Sequence, residues 1–89
     1  MSLKILYFDV ETTGLYPTVN EVVQFSAIME IDGKVVDKIN VKLCPTKPDV
    51  ITEEALGKQN KTKEDLLSYP DAKLGYNKII KFLDKHINR

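Results

Sequence analysis

Tyr7-Phe8-Asp9-Val10-Glu11-Thr12-Thr13-Gly14-Leu15 decides how this chain is read, because it drives two acidic side chains into the end of an otherwise apolar strand. Strand side chains alternate, so Ile5, Tyr7, Asp9 and Glu11 share one face while Leu6, Phe8 and Val10 take the other. Both carboxylates therefore point the same way. The nearest basic residue in sequence, Lys4, lies at the opposite end of the strand, so no local ion pair offsets the burial of two like charges. A divalent metal would neutralise both.

Beyond the turn at Tyr16-Pro17, Val23, Phe25, Ala27, Met29 and Ile31 alternate as the inward face of a half-buried strand. Asp32-Gly33 is a two-residue hairpin signal. Val35, Ile39, Val41 and Leu43 continue the inward face on a third strand, with Val36, Lys38, Asn40 and Lys42 facing away. Pro45 and Pro48 end the sheet, since proline cannot donate to a ladder and restricts the residue before it. Thr52 and Thr62 are N-cap residues for two short helices. Pro70 and Asp71 open a last helix, whose Tyr76, Ile79, Ile80, Leu83 and Ile87 form an apolar stripe expected to face the core. Lys85, His86 and Arg89 suit its C-terminal end. The fold class is α/β: a three-stranded antiparallel sheet followed by helices.

At 89 residues the chain fits at most one domain, of a size that buries a limited share of its surface. A hydrophobic content of 43% with 29% charged residues excludes a disordered tail. One cysteine, Cys44, allows no internal disulfide and reads as a structural thiol. With no signal peptide or long apolar run, the expected location is the cytoplasm, with no membrane partner. Net charge is zero, but unevenly spread: residues 1–57 hold five lysines against nine acids, and residues 58–89 eight basic groups against four. The basic half is compatible with contact to phosphates, though lysines along a helix are ordinarily a solvated face.

The Asp-x-Glu-Thr-Thr-Gly-Leu run, directly after a hydrophobic strand, resembles the first motif of the DnaQ-like (DEDD) 3′-to-5′ exonucleases, whose fold is ribonuclease H-like. The resemblance implies a nuclease of nucleic acid, DNA in the first instance, comparable with the proofreading ε-type subunit of DNA polymerase III. Four carboxylates there hold two Mg²⁺ or Mn²⁺ ions for in-line displacement at a single-stranded 3′ end. On this analogy Asp9 bridges both metals and Glu11 binds one. Main-chain groups around Thr12, Thr13 and Gly14 hold the terminal nucleotide, and Leu15 presses on its base. Gly14 fits a backbone that approaches a ligand closely. The analogy also puts the metal-bearing strand in the middle of the sheet.

Only part of the family pattern is present. Its second motif, an Asn followed closely by an adjacent Phe-Asp, is absent, since Phe82 and Asp84 are separated and lie in the helical stripe with Asn77. The third motif needs a His or Tyr shortly before a final Asp. Neither His86, Tyr69 nor Tyr76 has an acid at that spacing, so His86 is expected to be a surface helix-end residue. Residues 1–89 are thus expected to be a partial exonuclease domain, inactive alone. It would self-associate or pair with a missing C-terminal half through the edge beside Leu6, Phe8 and Val10. A non-catalytic half-domain that completes its sheet with a partner chain is the second reading. The third is a haloacid dehalogenase-like phosphatase with Asp9 as nucleophile, a family that usually has Asp where this chain has Glu11.

Overall fold

The computed structural model describes residues 3–87. Strands β1 (Lys4–Thr12), β2 (Val22–Ile31) and β3 (Lys34–Lys42) form an antiparallel sheet in the order β1-β2-β3. A 3₁₀ turn (Pro48–Val50) leads to helices α1 (Glu53–Gln59), α2 (Lys63–Leu67) and α3 (Ala72–His86). Each helix begins where the sequence supplies an oxygen for an orphan N–H. Thr52 accepts from Ala55 N, Thr62 and Asp65 form a reciprocal capping box, and Asp71 accepts from Lys73 N.

The β2-β3 turn is the expected two-residue hairpin. Asp32 and Gly33 have φ of 51° and 83°, the left-handed pair whose twist matches the flanking strands. The ladder then departs from simple alternation. Glu30 faces Val35, but Met29 faces Asp37, so Val36 is an extra residue in a β-bulge. The expectation for Val35 is therefore wrong: it stands with Glu30 on the face away from α3, exposed. The bulge restores Ile39 and Val41 to the core face, opposite Ala27 and Phe25.

The same bulge turns Asp37 toward α3. Its Oδ2 lies 2.7 Å from His86 Nε2 and accepts from Lys85 Nζ at 3.2 Å. The hydrogen bond with His86, followed by those from the Lys38 N–H and Lys85, lowers the Asp37 pKa to about 2. His86 is thus not a free surface residue as expected. Its side chain is 10% exposed, edge-on to Phe82 and clamped to β3.

α3 also presents a different stripe from the expected one. Gly75 and Phe82 are buried and Ile79 and Leu83 half-buried, whereas Tyr76, Ile80 and Ile87 are exposed. Gly75 explains the rotation, because a Cβ there would stand 2.9 Å from the Leu43 side chain. Only the glycine side of the helix can approach β3 so closely.

Two cores result. Ala27, Met29 and Phe82, with Leu6, Phe25, Ile39 and Leu83, fill the space under α3. Val23, Leu56 and Leu66, with Ile51 and Tyr69, join α1 and α2 to the end of the sheet. The opposite sheet face, with Tyr7, Asp9, Ile28, Lys38 and Asn40, is exposed. β1 is an edge strand here rather than a middle one, paired only with β2 among the described residues. Phe8, stacked on Phe25, is 66% exposed along that edge. The three-stranded sheet and following helices agree with the N-terminal part of a ribonuclease H-like exonuclease fold.

Candidate active site

β1 carries Asp9 and Glu11 on the uncovered face of the sheet, about 7 Å apart along the strand by the ordinary rise per residue. Asp9 is exposed and Glu11 half-buried. Their direct partners on β2 are Ser26 and Gln24, both uncharged. Those two side chains bond to Asn40 Oδ1 instead, Gln24 at 2.9 Å and Ser26 at 3.2 Å. The ion pairs Lys58–Glu54, Lys85–Asp37 and His86–Asp37 involve other side chains, and neither Asp9 nor Glu11 is in an ion pair among the described residues.

The turn after Glu11 is fixed by residues distant in sequence. Asn20 donates through Nδ2 to Thr13 Oγ1 at 3.1 Å and to the Val50 carbonyl at 2.9 Å, and its Oδ1 accepts from Tyr16 N at 3.0 Å. Gln59 Nε2, on α1, donates to the Thr12 carbonyl at 2.8 Å. Thr12 Oγ1 donates to the Gly14 carbonyl at 2.7 Å. Glu21 clasps the segment that follows β3, accepting from the Thr46 hydroxyl at 2.7 Å and from the Thr46 and Lys47 N–H groups, each at 2.9 Å on its shortest contact. Burial opposes ionisation of Glu21, but these hydrogen bonds together outweigh it and hold its pKa below the usual value.

Thr13 occupies a different place from the one expected. It is fully buried, its N–H donates to the Glu21 carbonyl at 2.9 Å, and its carbonyl accepts from Thr52 N at 2.9 Å. Its hydroxyl accepts from Glu21 N and Asn20 Nδ2. Thr13 is a pin that holds the turn to α1 and β2. Gly14 is also needed for an internal reason, because a Cβ there would fall 2.6 Å from the Asn20 amide group. Neither the Asn20 pin nor the Gln59 tie was read from the sequence. An Asn between a Pro turn and a strand was the one local signal for the first.

These contacts shape a cleft of about 360 Å³ between the turn and α1. Val10, Glu11, Thr12, Gly14, Leu15 and Tyr16 line one side; Thr52, Glu54, Ala55, Lys58 and Gln59 line the other. Asp9 opens onto a shallower depression of about 410 Å³ on the bare sheet face, with Tyr7, Ser26, Lys38 and Asn40. Of the expected site residues, the structure thus brings Glu11, Thr12, Gly14 and Leu15 to one cleft and places Asp9 two residues before Glu11, on the same face. Leu15 and Tyr16 are 73% and 70% exposed at its lip. Near this region the Tyr69 hydroxyl is buried without a partner among the described residues, and burial, then the charges of Asp65 and Glu11, raise its pKa.

Two unpaired carboxylate groups supply oxygen donors of the kind a hard divalent cation takes, and they fit part of such a ligand set. Among the described residues no group of three or more His, Cys, Asp or Glu side chains gathers to hold an ion. Cys44 is a half-buried thiol 3.5 Å from the Pro45 and Leu67 carbonyls, as a structural role requires. No helix among the described residues is long and apolar enough to cross a membrane.

The strand and helix order described above has counterparts among known proteins. Residues 6–88 match the model of the RNase_T family, described as Exonuclease. The chain belongs to this DnaQ-like exonuclease family. The DNA polymerase III PolC-type of Ureaplasma parvum serovar 3 (strain ATCC 700970) is similar, with 33% identity over 81 residues. That alignment covers 90% of this chain and 6% of the relative, so the chain spans a small part of the relative's length. The family match supersedes the dehalogenase-like reading of Asp9 as a phosphatase nucleophile.

Proposed function

We propose that this chain is the metal-binding first part of a 3′-to-5′ exonuclease domain acting on single-stranded nucleic acid, DNA in the first instance. The observation that carries the reading is the pair Asp9 and Glu11. Both lie on one strand face beside neutral partners, Glu11 in the wall of the cleft and Asp9 on the depression of the bare sheet face next to it. Carboxylates left without cationic partners in an otherwise well-bonded region are poised for an external cation.

Asp9 and Glu11 would hold Mg²⁺ or Mn²⁺, which in two-metal nucleases activates the attacking water and stabilises the leaving oxygen. Thr12, Gly14 and Leu15 would border the terminal nucleotide, with Leu15 against its base, while Thr13, Asn20 and Gln59 position the turn without touching substrate. A full two-metal ligand set needs carboxylates from another segment or chain. The free edge of β1 offers a place for the additional strand that would put β1 in the middle of the sheet. That same edge is the observation favouring the second reading, a half-domain that completes its sheet with a partner chain.

The test is catalytic. Residues 1–89 alone are expected to release no nucleotides from a labelled single strand, with either Mg²⁺ or Mn²⁺. Joined to a segment that supplies the second and third motifs, the protein should remove nucleotides from the 3′ end in a metal-dependent way. Asp9→Ala or Glu11→Ala should abolish that activity. Trimming by the 89-residue chain that survives either substitution would overturn the assignment.

A further inference from the structure

We infer that Tyr16 and Lys58 form the two lips of a second nucleotide subsite, which holds the strand one step away from the nucleotide bordered by Leu15. The inference rests on the nucleic-acid reading above and assigns the chemistry that fixes the rest of the strand. Tyr16 has an anchored backbone and a free ring. Its N–H donates to Asn20 Oδ1, its carbonyl accepts from Val19 N at 2.9 Å and Asn20 N at 2.7 Å, and yet the residue is 70% exposed. An aromatic ring held at a cleft mouth by its main chain is a stacking platform for a base of any sequence.

Lys58 lines the opposite wall, from the last turn of α1, and among the described residues it is the cation bordering this cleft. α1 is tied to the turn at both ends, by Thr52 N to the Thr13 carbonyl and by Gln59 to the Thr12 carbonyl, so the two lips keep a fixed spacing. Lys58 is paired with Glu54 at 3.6 Å, and both side chains are about two-thirds exposed. Such an exposed pair is weak, and a phosphate diester can take the place of the Glu54 carboxylate. Glu54 therefore acts as a competitor anion that lowers affinity for the strand and favours its release as the 3′ end shortens. A ring for the base and an ammonium for the next phosphate are the two elements by which sequence-tolerant proteins follow a single strand.

The experiment measures binding of a 5′-fluorescein-labelled pentathymidine to the 89-residue chain by anisotropy, between low and moderate salt, with circular dichroism to confirm that each variant is folded. Tyr16→Ala should weaken binding by about 5- to 150-fold, the range of a lost base stack, with the salt slope unchanged. Lys58→Gln should weaken it and reduce the slope of log K against log salt by about 0.7, the value for one phosphate contact on a single strand. Glu54→Gln should tighten it. A wild-type chain that binds the oligonucleotide while all three variants bind equally well would overturn the subsite and leave the proposed function standing. A wild-type chain with no affinity for the oligonucleotide at any salt would overturn the subsite, whereas the proposed function would still be decided by 3′ trimming in the extended protein. Tightening by Lys58→Gln would mean that the lysine faces away from the strand, and would also overturn the subsite.

Discussion

The two ends of β1 are built on opposite terms. At the C-terminal end nearly every polar group from Thr12 to Asn20 that the structure places in the interior has a partner, often one reached across 30 residues, as with Asn20 and Val50. Along the middle of the same strand, Tyr7, Phe8 and Asp9 are exposed, and the outer edge has no partner strand among the described residues. The difference teaches where rigidity is required. On the proposed function, a turn that would present backbone to a nucleotide has to be held by the protein, whereas carboxylates that would take a cation and an edge that would take a strand are left open.

That contrast breaks most readily at the turn. Asn20→Ala removes three hydrogen bonds and strips a donor from the buried Thr13 hydroxyl, so a loss of about 2–3 kcal/mol in urea unfolding is expected. Gly14→Ala should lose about 1–3 kcal/mol by pushing on the same amide, which cannot swing away without forfeiting its bonds. Stability unchanged in both variants would mean the turn is not the rigid end.

The next effect concerns the open edge. Phe8→Lys places a charge on an exposed apolar edge, the device by which natural sheets prevent pairing between chains. Sedimentation of the wild-type chain at tens of micromolar should show dimers or larger species, and the variant should shift toward monomer. A wild-type chain that sediments as a compact monomer with sharp thermal unfolding would contradict the account of the edge.

Acid sharpens the comparison further, because the carboxylates with lowered pKa values, Glu21, Asp37 and Asp65, are ones already held by hydrogen bonds within the fold. Glu21 and Asp37 have folded pKa values below their unfolded ones, so their contribution is present above about pH 4.5 and 3.8 respectively and is lost as pH falls. For Asp37 the loss runs down to about pH 2. Urea midpoints measured from pH 6 to pH 2 should fall through this window, and Glu21→Gln or Asp37→Asn should each flatten the fall. An unchanged slope in both variants would remove these clasps from the account.

The smallest effect is expected at Asp9. With no ion-pair partner to lose, Asp9→Asn should leave the metal-free fold as stable or up to about 1 kcal/mol more stable, by relief of charge crowding with Glu11. Mn²⁺ titrated into the wild type should broaden the amide signals of residues 9–15 before others. Uniform broadening along the chain would mean that no site forms at Asp9 and Glu11.

Local chemistry was legible in the sequence wherever the partner is near in the chain. Asp32-Gly33 turned as expected, and Thr52, Thr62 and Asp71 capped the helices they precede. The apolar strand, and the alternation that puts both carboxylates on one face, could also be read directly. What could not be read depends on distant partners. The bulge at Val36 turned Val35 outward and Asp37 inward, and Asp37 then recruited His86 from 49 residues away. The rotation of α3 was decided by the absence of a side chain at Gly75, a signal that an apolar-periodicity count on the helix overlooks. In the site, Asp9, Glu11 and the Gly14 turn were visible as a motif, while Asn20, Gln59 and the buried state of Thr13 arise only when α1 and the 3₁₀ turn close over it.

The Asp32-Gly33 hairpin has a bearing on the order in which the molecule assembles. β2 and β3 are joined by the shortest connection available, so their pairing closes a minimal loop and can form within microseconds. β1 must span a longer loop to reach β2, so its pairing costs more closure entropy. The strand bearing Asp9 and Glu11 is therefore expected to join a hairpin already made. Substitutions at those two positions should change the unfolding rate far more than the folding rate, leaving the acidic pair free to vary without endangering the nucleus.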